Sequence, residues 1–130
     1  MKSFKIGKVT VGDDYPPVII VELGINHNGN LDMAIEMVDK AIDAGATIIK
    51  HQTHVVQDEM SYEAKKIIPA NSNKTIFDII KKCALSEKDE KKLMHHIKSR
   101  KKIFISTPFS RAAADRLGKF NIPAFKIGSG

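Results

Sequence analysis

Short apolar, β-branched runs alternate along this chain with stretches whose apolar residues recur every three or four positions, and this alternation restricts the architectures open to it. Phe4, Ile6, Val9 and Val11 alternate loosely around Gly7, which predicts a short β-hairpin ending at Gly12. Val18-Ile19-Ile20-Val21 reads as a fully buried strand ending at Glu22. Ala46 to Thr53 reads as a second strand, Ile103 to Thr107 as a third, and Pro123 to Ile127 as a fourth. Between the first two lies an amphipathic helix, with Leu31, Ala34, Ile35, Val38, Ala41 and Ile42 on its core face, Asn30 as its cap and Gly45 as its stop. Thr75 to Cys83 looks helical, and Ser86-Glu87-Lys88-Asp89 resembles a capping box opening a helix that buries Leu93, Met94 and Ile97. Ser110 caps a last helix with Ala113, Ala114, Leu117 and Phe120 inside. A hairpin followed by β-α-β-α-β-α-β implies right-handed crossovers and a parallel sheet. Four such units suggest half of a (β/α)8 TIM barrel. An open doubly wound sheet is the alternative, but its G-x-G-x-x-G fingerprint is missing after the first strand.

Composition narrows the classes. The 130 residues suit one soluble domain, no apolar run is long enough to span a bilayer, and the N-terminus lacks a signal-peptide core. One cysteine, Cys83, cannot form an internal disulfide, which fits a reducing cytoplasm. Net charge is +6, but the lysines from Lys81 to Lys102 are interleaved with Glu87, Asp89 and Glu90, the pattern of a solvated helix face. No aromatic-plus-basic signature marks a nucleic-acid module.

Ligands of parallel α/β sheets sit at the carboxyl ends of the strands. Those ends carry Glu22, then Lys50 and Gln52, then Thr107, then Lys126 and Ser129. Because alternate strand residues share a face, Lys50 with Gln52 and Ile105 with Thr107 point one way, while Ile49 and His51 point the other. Ammonium groups and hydroxyls beside Gly128-Ser129-Gly130 form a candidate clamp for a phosphate or carboxylate. A long segment from His54 to Lys74 has an acidic pair at Asp58-Glu59 and a turn at Pro69-Ala70-Asn71, and loops of this length are often functional. His51 and His54 point to opposite faces, against a shared metal, with His51 structural. His27 either faces the strand ends or is a polar loop residue. His95 and His96 read as surface residues, and Cys83 as a buried helical one.

At these residues the sequence resembles the sialic acid synthase family, in particular bacterial N-acetylneuraminate synthases. The resemblance runs from Phe4 to Gly130. It is carried by Glu22-Leu23-Gly24-Ile25-Asn26-His27, Lys50-His51-Gln52-Thr53-His54, Asp58-Glu59-Met60-Ser61 and Ile68-Pro69-Ala70-Asn71, and by Phe104 to Ala114 and Phe125 to Gly130. It implies a barrel that condenses phosphoenolpyruvate with N-acetylmannosamine, with a divalent Mn2+ or Mg2+ ion polarising the sugar aldehyde. Carried over by position, Lys50, Thr107, Lys126 and Ser129 would hold phosphoenolpyruvate, Gln52 and Asn71 would contact the amino sugar, and Glu22 would be the acid/base or water-orienting carboxylate.

The family's members run to more than twice this length, with a second barrel half and a C-terminal antifreeze-like domain, and the full enzyme is expected to be a homodimer. Residues 1–130 then correspond to the N-terminal half of the barrel, the metal ligands are expected in the other half, and this chain alone is expected to be inactive, with exposed sheet edges. A synthase of a related nonulosonic acid, legionaminate or pseudaminate, is the rival within the family. A non-catalytic anion-binding half-barrel is the rival outside it.

Overall fold

In the computed structural model, which describes residues 2–128, the hairpin forms where the alternation places it. β1 (Phe4–Ile6) pairs antiparallel with β2 (Val9–Val11) across the turn Gly7-Lys8, and Gly7 takes φ +57°. A positive φ at the first turn position is open to glycine at little cost. The main sheet is parallel, in the order β3 (Ile20–Gly24), β4 (Ile48–Thr53), β5 (Ile103–Pro108). Glu22 stands opposite Lys50, Lys50 opposite Ile105, and Gln52 opposite Thr107. The crossovers run through α1 (Leu31–Asp43), then through α2 (Ile76–Cys83) and α3 (Glu87–Ser99), and α4 (Arg111–Lys119) follows β5.

Each of α1 to α4 starts at a polar residue that supplies a missing hydrogen-bond acceptor. The side chains of Asn30, Thr75, Ser86 and Ser110 accept the backbone N–H of Met33, Asp78, Asp89 and Ala113, respectively. The capping box is reciprocal in hydrogen bonding only through side chains: the Ser86 hydroxyl also donates to the Asp89 carboxylate at 2.8 Å. Gly45, at φ +98°, lets the chain leave α1.

Strand alternation gives the sheet two unlike faces. Leu23, Ile49 and Phe104 point to the helices and meet Ala34, Val38, Leu93, Ile97 and Leu117 in the main core. Ile48, Ile103 and Ile105 point the other way and meet Ile6, Val9 and Val18, so the hairpin plugs the N-terminal end of this inner face. Lys50, Gln52 and Thr107 share its direction and stand nearer the carboxyl end. Among the described residues no helix is long and apolar enough to cross a membrane.

Three expectations give way. The first strand begins at Ile20 and is an edge, with Ile19 74% and Ile20 38% exposed, so its apolar run is not covered on both faces, and Glu22 lies within the strand. Pro123 to Ile127 makes a single parallel bridge, Phe125 to Ser106, where the Lys126 N–H donates to the Ser106 carbonyl at 3.0 Å, and forms no fourth strand among the described residues. Glu90 is not on a solvated face: it is 1% exposed, buried on the same side of α3 as Leu93, Met94 and Ile97.

Candidate functional site

The inner face turns polar at Lys50. Its side chain is 10% exposed, and its Nζ donates to Glu22 Oε1 at 2.5 Å, across the register that pairs β3 with β4. Burying an ammonium group is costly unless it is matched, and Glu22 supplies the match from a side chain that itself remains open to solvent. The hydrogen bond from Lys50, then its charge, with a smaller contribution from Lys126, hold the Glu22 carboxyl below the usual carboxylate range. Glu22 is therefore a carboxylate at neutral pH. Thr107 is buried beside Gln52 in register, and a Cβ on Gly128 would lie 3.7 Å from Thr107 Cγ2, which brings the chain after Lys126 against this corner. Lys126 is exposed, and its Nζ donates to the Ile127 carbonyl. Glu22, Lys50, Gln52, Thr107 and Lys126 thus gather at one end of one face. Asn71 sits exposed in the turn where the Ser72 N–H donates to the Pro69 carbonyl (3.0 Å), and among the described residues no hydrogen bond ties it to the strand ends. Ser129 lies outside the described residues.

The loop after β4 is folded back on the same corner. His54 is buried, stacks on Phe109 (centroids 4.6 Å apart, planes at 13°), and its Nδ1 lies 2.8 Å from Glu59 Oε2. Its Nε2 lies 3.3 Å from Gln52 Oε1. Asp58 accepts the Ala112 N–H at 3.0 Å and so pins the loop to the first turn of α4. The acidic pair read from the sequence therefore has two jobs, one carboxylate on a helix terminus and one on a histidine.

The outer face carries a second polar group that the sequence left dispersed. The Gly29 N–H donates to His27 Nδ1 (3.2 Å), so His27 holds its proton on Nε2, 3.1 Å from His51 Nε2. His51 must then be protonated on Nδ1, 3.0 Å from Glu90 Oε1. The Thr53 hydroxyl donates to the same Glu90 oxygen and accepts from the Ser106 hydroxyl (2.7 Å), while Arg116 donates to Glu90 Oε2 (3.2 Å). Each proton in the chain is used once, which assigns both tautomers. Burial, then the repulsion that a proton on His51 would exert, push the His27 pKa down to about 4. Burial would raise the Glu90 carboxyl, but the His51, Thr53 and Arg116 hydrogen bonds together outweigh it and leave it below its ordinary value. His51 faces away from Lys50, as strand alternation requires, whereas His27 turns into this network rather than toward the strand ends. The signal for Glu90 was its position: 90, 93, 94 and 97 share one helical face.

Among the described residues no three His, Cys, Asp or Glu side chains converge as the donors of a metal would. His27 and His51 come nearest, but all four of their ring nitrogens are engaged in hydrogen bonds. The described residues do not fit a divalent ion.

Residues 37–130 match the sequence profile of the NeuB family. The Bacillus subtilis spore coat polysaccharide biosynthesis protein SpsE is 33% identical over 132 residues, covering 99% of this chain and 35% of that protein. The N,N'-diacetyllegionaminic acid synthase of Campylobacter jejuni is 33% identical over 117 residues, covering 87% of this chain and 35% of that enzyme. An N-acetylneuraminic acid synthetase from Leptospira borgpetersenii, solved in complex with citrate, superposes with a TM-score of 0.80 at 26% identity, over 97% of this chain and 41% of that one. The chain spans about a third of the length of the curated relatives it matches. A profile that runs from α1 through the strand ends and beyond α4, together with a backbone that follows a sialic acid synthetase, shows that the chain belongs to the NeuB family.

Proposed function

We propose that the protein works in a synthase that condenses phosphoenolpyruvate with N-acetylmannosamine to give N-acetylneuraminate and phosphate. Residues 1–130 would form the first half of a (β/α)8 barrel, with its active site at the carboxyl ends of the strands. Carbon 3 of phosphoenolpyruvate attacks the sugar aldehyde carbon, water adds to the resulting cationic carbon 2, and the tetrahedral adduct expels phosphate. Lys50, Thr107, Lys126 and Ser129 bind the carboxylate and phosphate of phosphoenolpyruvate. Gln52 and Asn71 contact the amino sugar. Glu22 enters as a carboxylate, a form suited to orienting the attacking water and accepting its proton rather than to donating one. A divalent ion would require donors from outside the described residues.

The observation that carries this reading is the buried Lys50 ammonium on the inner face, held 2.5 Å from Glu22 with Gln52 next along the same side of β4. A buried cation beside an exposed carboxylate at the strand end gives an anionic substrate a fixed charge to bind. Calorimetric titration with phosphoenolpyruvate is the direct test: Lys50→Met should weaken binding about tenfold or more, the scale of a charge-assisted hydrogen bond. An unchanged affinity would remove the basis of the proposal. The 33% identity to a legionaminic acid synthase supports a second reading, in which the acceptor is a diacetylated hexosamine. Competition between the two acceptor sugars distinguishes them.

A further inference from the structure

Glu22 and Lys50 stand in register on neighbouring strands, yet they are unequally placed. The Lys50 side chain is 10% exposed and the Glu22 side chain 62%, so the carboxylate is the solvent-facing member of the pair. Among the described residues no hydrogen bond or ion pair holds Glu22 apart from the one with Lys50, at 2.5 Å. β3 is an edge strand, and its register against β4 shifts between Glu22 and Gly24, a kind of irregularity that re-aims side chains. Lys126 is the other cation that acts on Glu22, more weakly, and its Nζ donates to the Ile127 carbonyl. Gln52 and Thr107, further along the same face, are uncharged, whereas His27, His51 and Glu90 belong to the network on the opposite face. Lys50 is thus a nearly buried cation whose charge is already matched. An anion arriving from solvent meets a neutral pair rather than a free ammonium group.

We infer that Glu22 occupies the anion site of Lys50 while that site is empty, and that an incoming carboxylate or phosphate group takes its place on the ammonium. This rests on the reading of Lys50 as the phosphoenolpyruvate contact and adds a step to it. Displacement takes away the hydrogen bond and much of the attraction that hold the Glu22 carboxyl below its ordinary range, and puts an anion beside it instead, so its proton affinity rises. Between the depressed value of the empty site and the higher value of the occupied one, binding takes up a proton. At neutral pH the same exchange leaves a carboxylate that is a stronger base. Substrate binding and the readying of the water-orienting group are then one event.

Calorimetric titration with phosphoenolpyruvate and 13C spectra of glutamate-labelled protein test the exchange without turnover. Glu22→Gln removes the competing charge and should tighten phosphoenolpyruvate binding about fivefold, the scale of one exposed ion pair. In Lys50→Met there is no ammonium to compete for, and adding Glu22→Gln should then gain less than about twofold. The Glu22 carboxyl signal, assigned by its loss in Glu22→Gln, should titrate at higher pH with saturating phosphoenolpyruvate than without it. Weaker or unchanged binding in Glu22→Gln, an equal gain with and without Lys50, or a carboxyl titration that the ligand does not raise would each overturn the inference. Lys50 stays the anion site in all three cases if Lys50→Met still weakens binding. An affinity indifferent to Lys50→Met rejects that reading, and the exchange with it. If the parent protein binds too weakly to measure, binding that emerges in Glu22→Gln and vanishes in the double variant supports the exchange, and none in either overturns it.

Discussion

Glu90 shows how a single buried carboxylate can hold several elements together. It receives hydrogen bonds from His51 and Thr53 of β4 and from Arg116 of α4 while belonging to α3 itself. Removing the charge leaves the Arg116 guanidinium, whose side chain is 14% exposed, short of its nearest counter-ion. Glu90→Gln keeps the shape and should destabilise the protein by about 3 to 5 kcal/mol, the range for breaking one side of a buried ion pair. Glu87 also lies near Arg116, at 3.9 Å, but is largely exposed, and Glu87→Gln should cost less than about 0.5 kcal/mol. Urea denaturation of the two variants measures the contrast, and equal losses would mean that the network contributes nothing beyond surface charge. The result would also bear on the strand ends, because His51 sits between Lys50 and Gln52 and its tether fixes which way those two side chains point.

At the scale of elements, the loop between β3 and α1 is held as closely as the strands. Gly29 takes φ +75°, donates its N–H to His27, and a Cβ there would approach the Lys82 carbonyl oxygen to 2.3 Å. Gly29→Ala therefore combines an unfavourable φ with a clash against the backbone of α2, and a loss of about 2 kcal/mol or more is expected in a thermal or urea melt. The equivalent change at Gly118, where nothing lies within 4 Å of the added Cβ, should be neutral or stabilising. Helix starts were legible in the sequence because a cap is a local device: Asn30, Thr75, Ser86 and Ser110 each bond to an N–H three residues on. Strand pairing is not local. The alternation from Pro123 to Ile127 looks like a strand, but Phe125 and Ile127 are exposed, and only one bridge to β5 forms. The apolar run at Ile19 and Ile20 likewise records a preference for burial without saying what would cover it. Glu90 was obscured by its charged neighbours, since a run of mixed charge reads as solvated unless each position is placed on its helical face. The contact of His54 with Glu59 depends on how the loop returns to the strand, which no local pattern encodes.

For the molecule as a whole, the two polar groups on opposite faces of one sheet should respond differently to acid. Glu22 has a depressed carboxyl but is exposed, so solvent screens its pair with Lys50 and little folding stability depends on it. The outer network is sealed. His27 has its pKa pushed down to about 4 from 6.5, so between these values the unfolded chain binds the proton and the folded one does not. Stability is then greatest above about pH 6.5 and falls as pH drops toward 4, by roughly 3 kcal/mol in total from this group. Glu90, also depressed, adds a loss that starts below its unfolded value near 4.5 and continues as pH falls through its lower folded one. The stability measured by urea denaturation should thus fall continuously on acidification, first through His27 and then through Glu90. His27→Asn removes the first titrating group and should flatten the slope between about pH 6.5 and 4.5 whatever it does to absolute stability. Glu22→Gln should leave that slope as it is. A slope that survives His27→Asn and disappears in Glu22→Gln would move the acid-sensitive element from the sealed face to the open one.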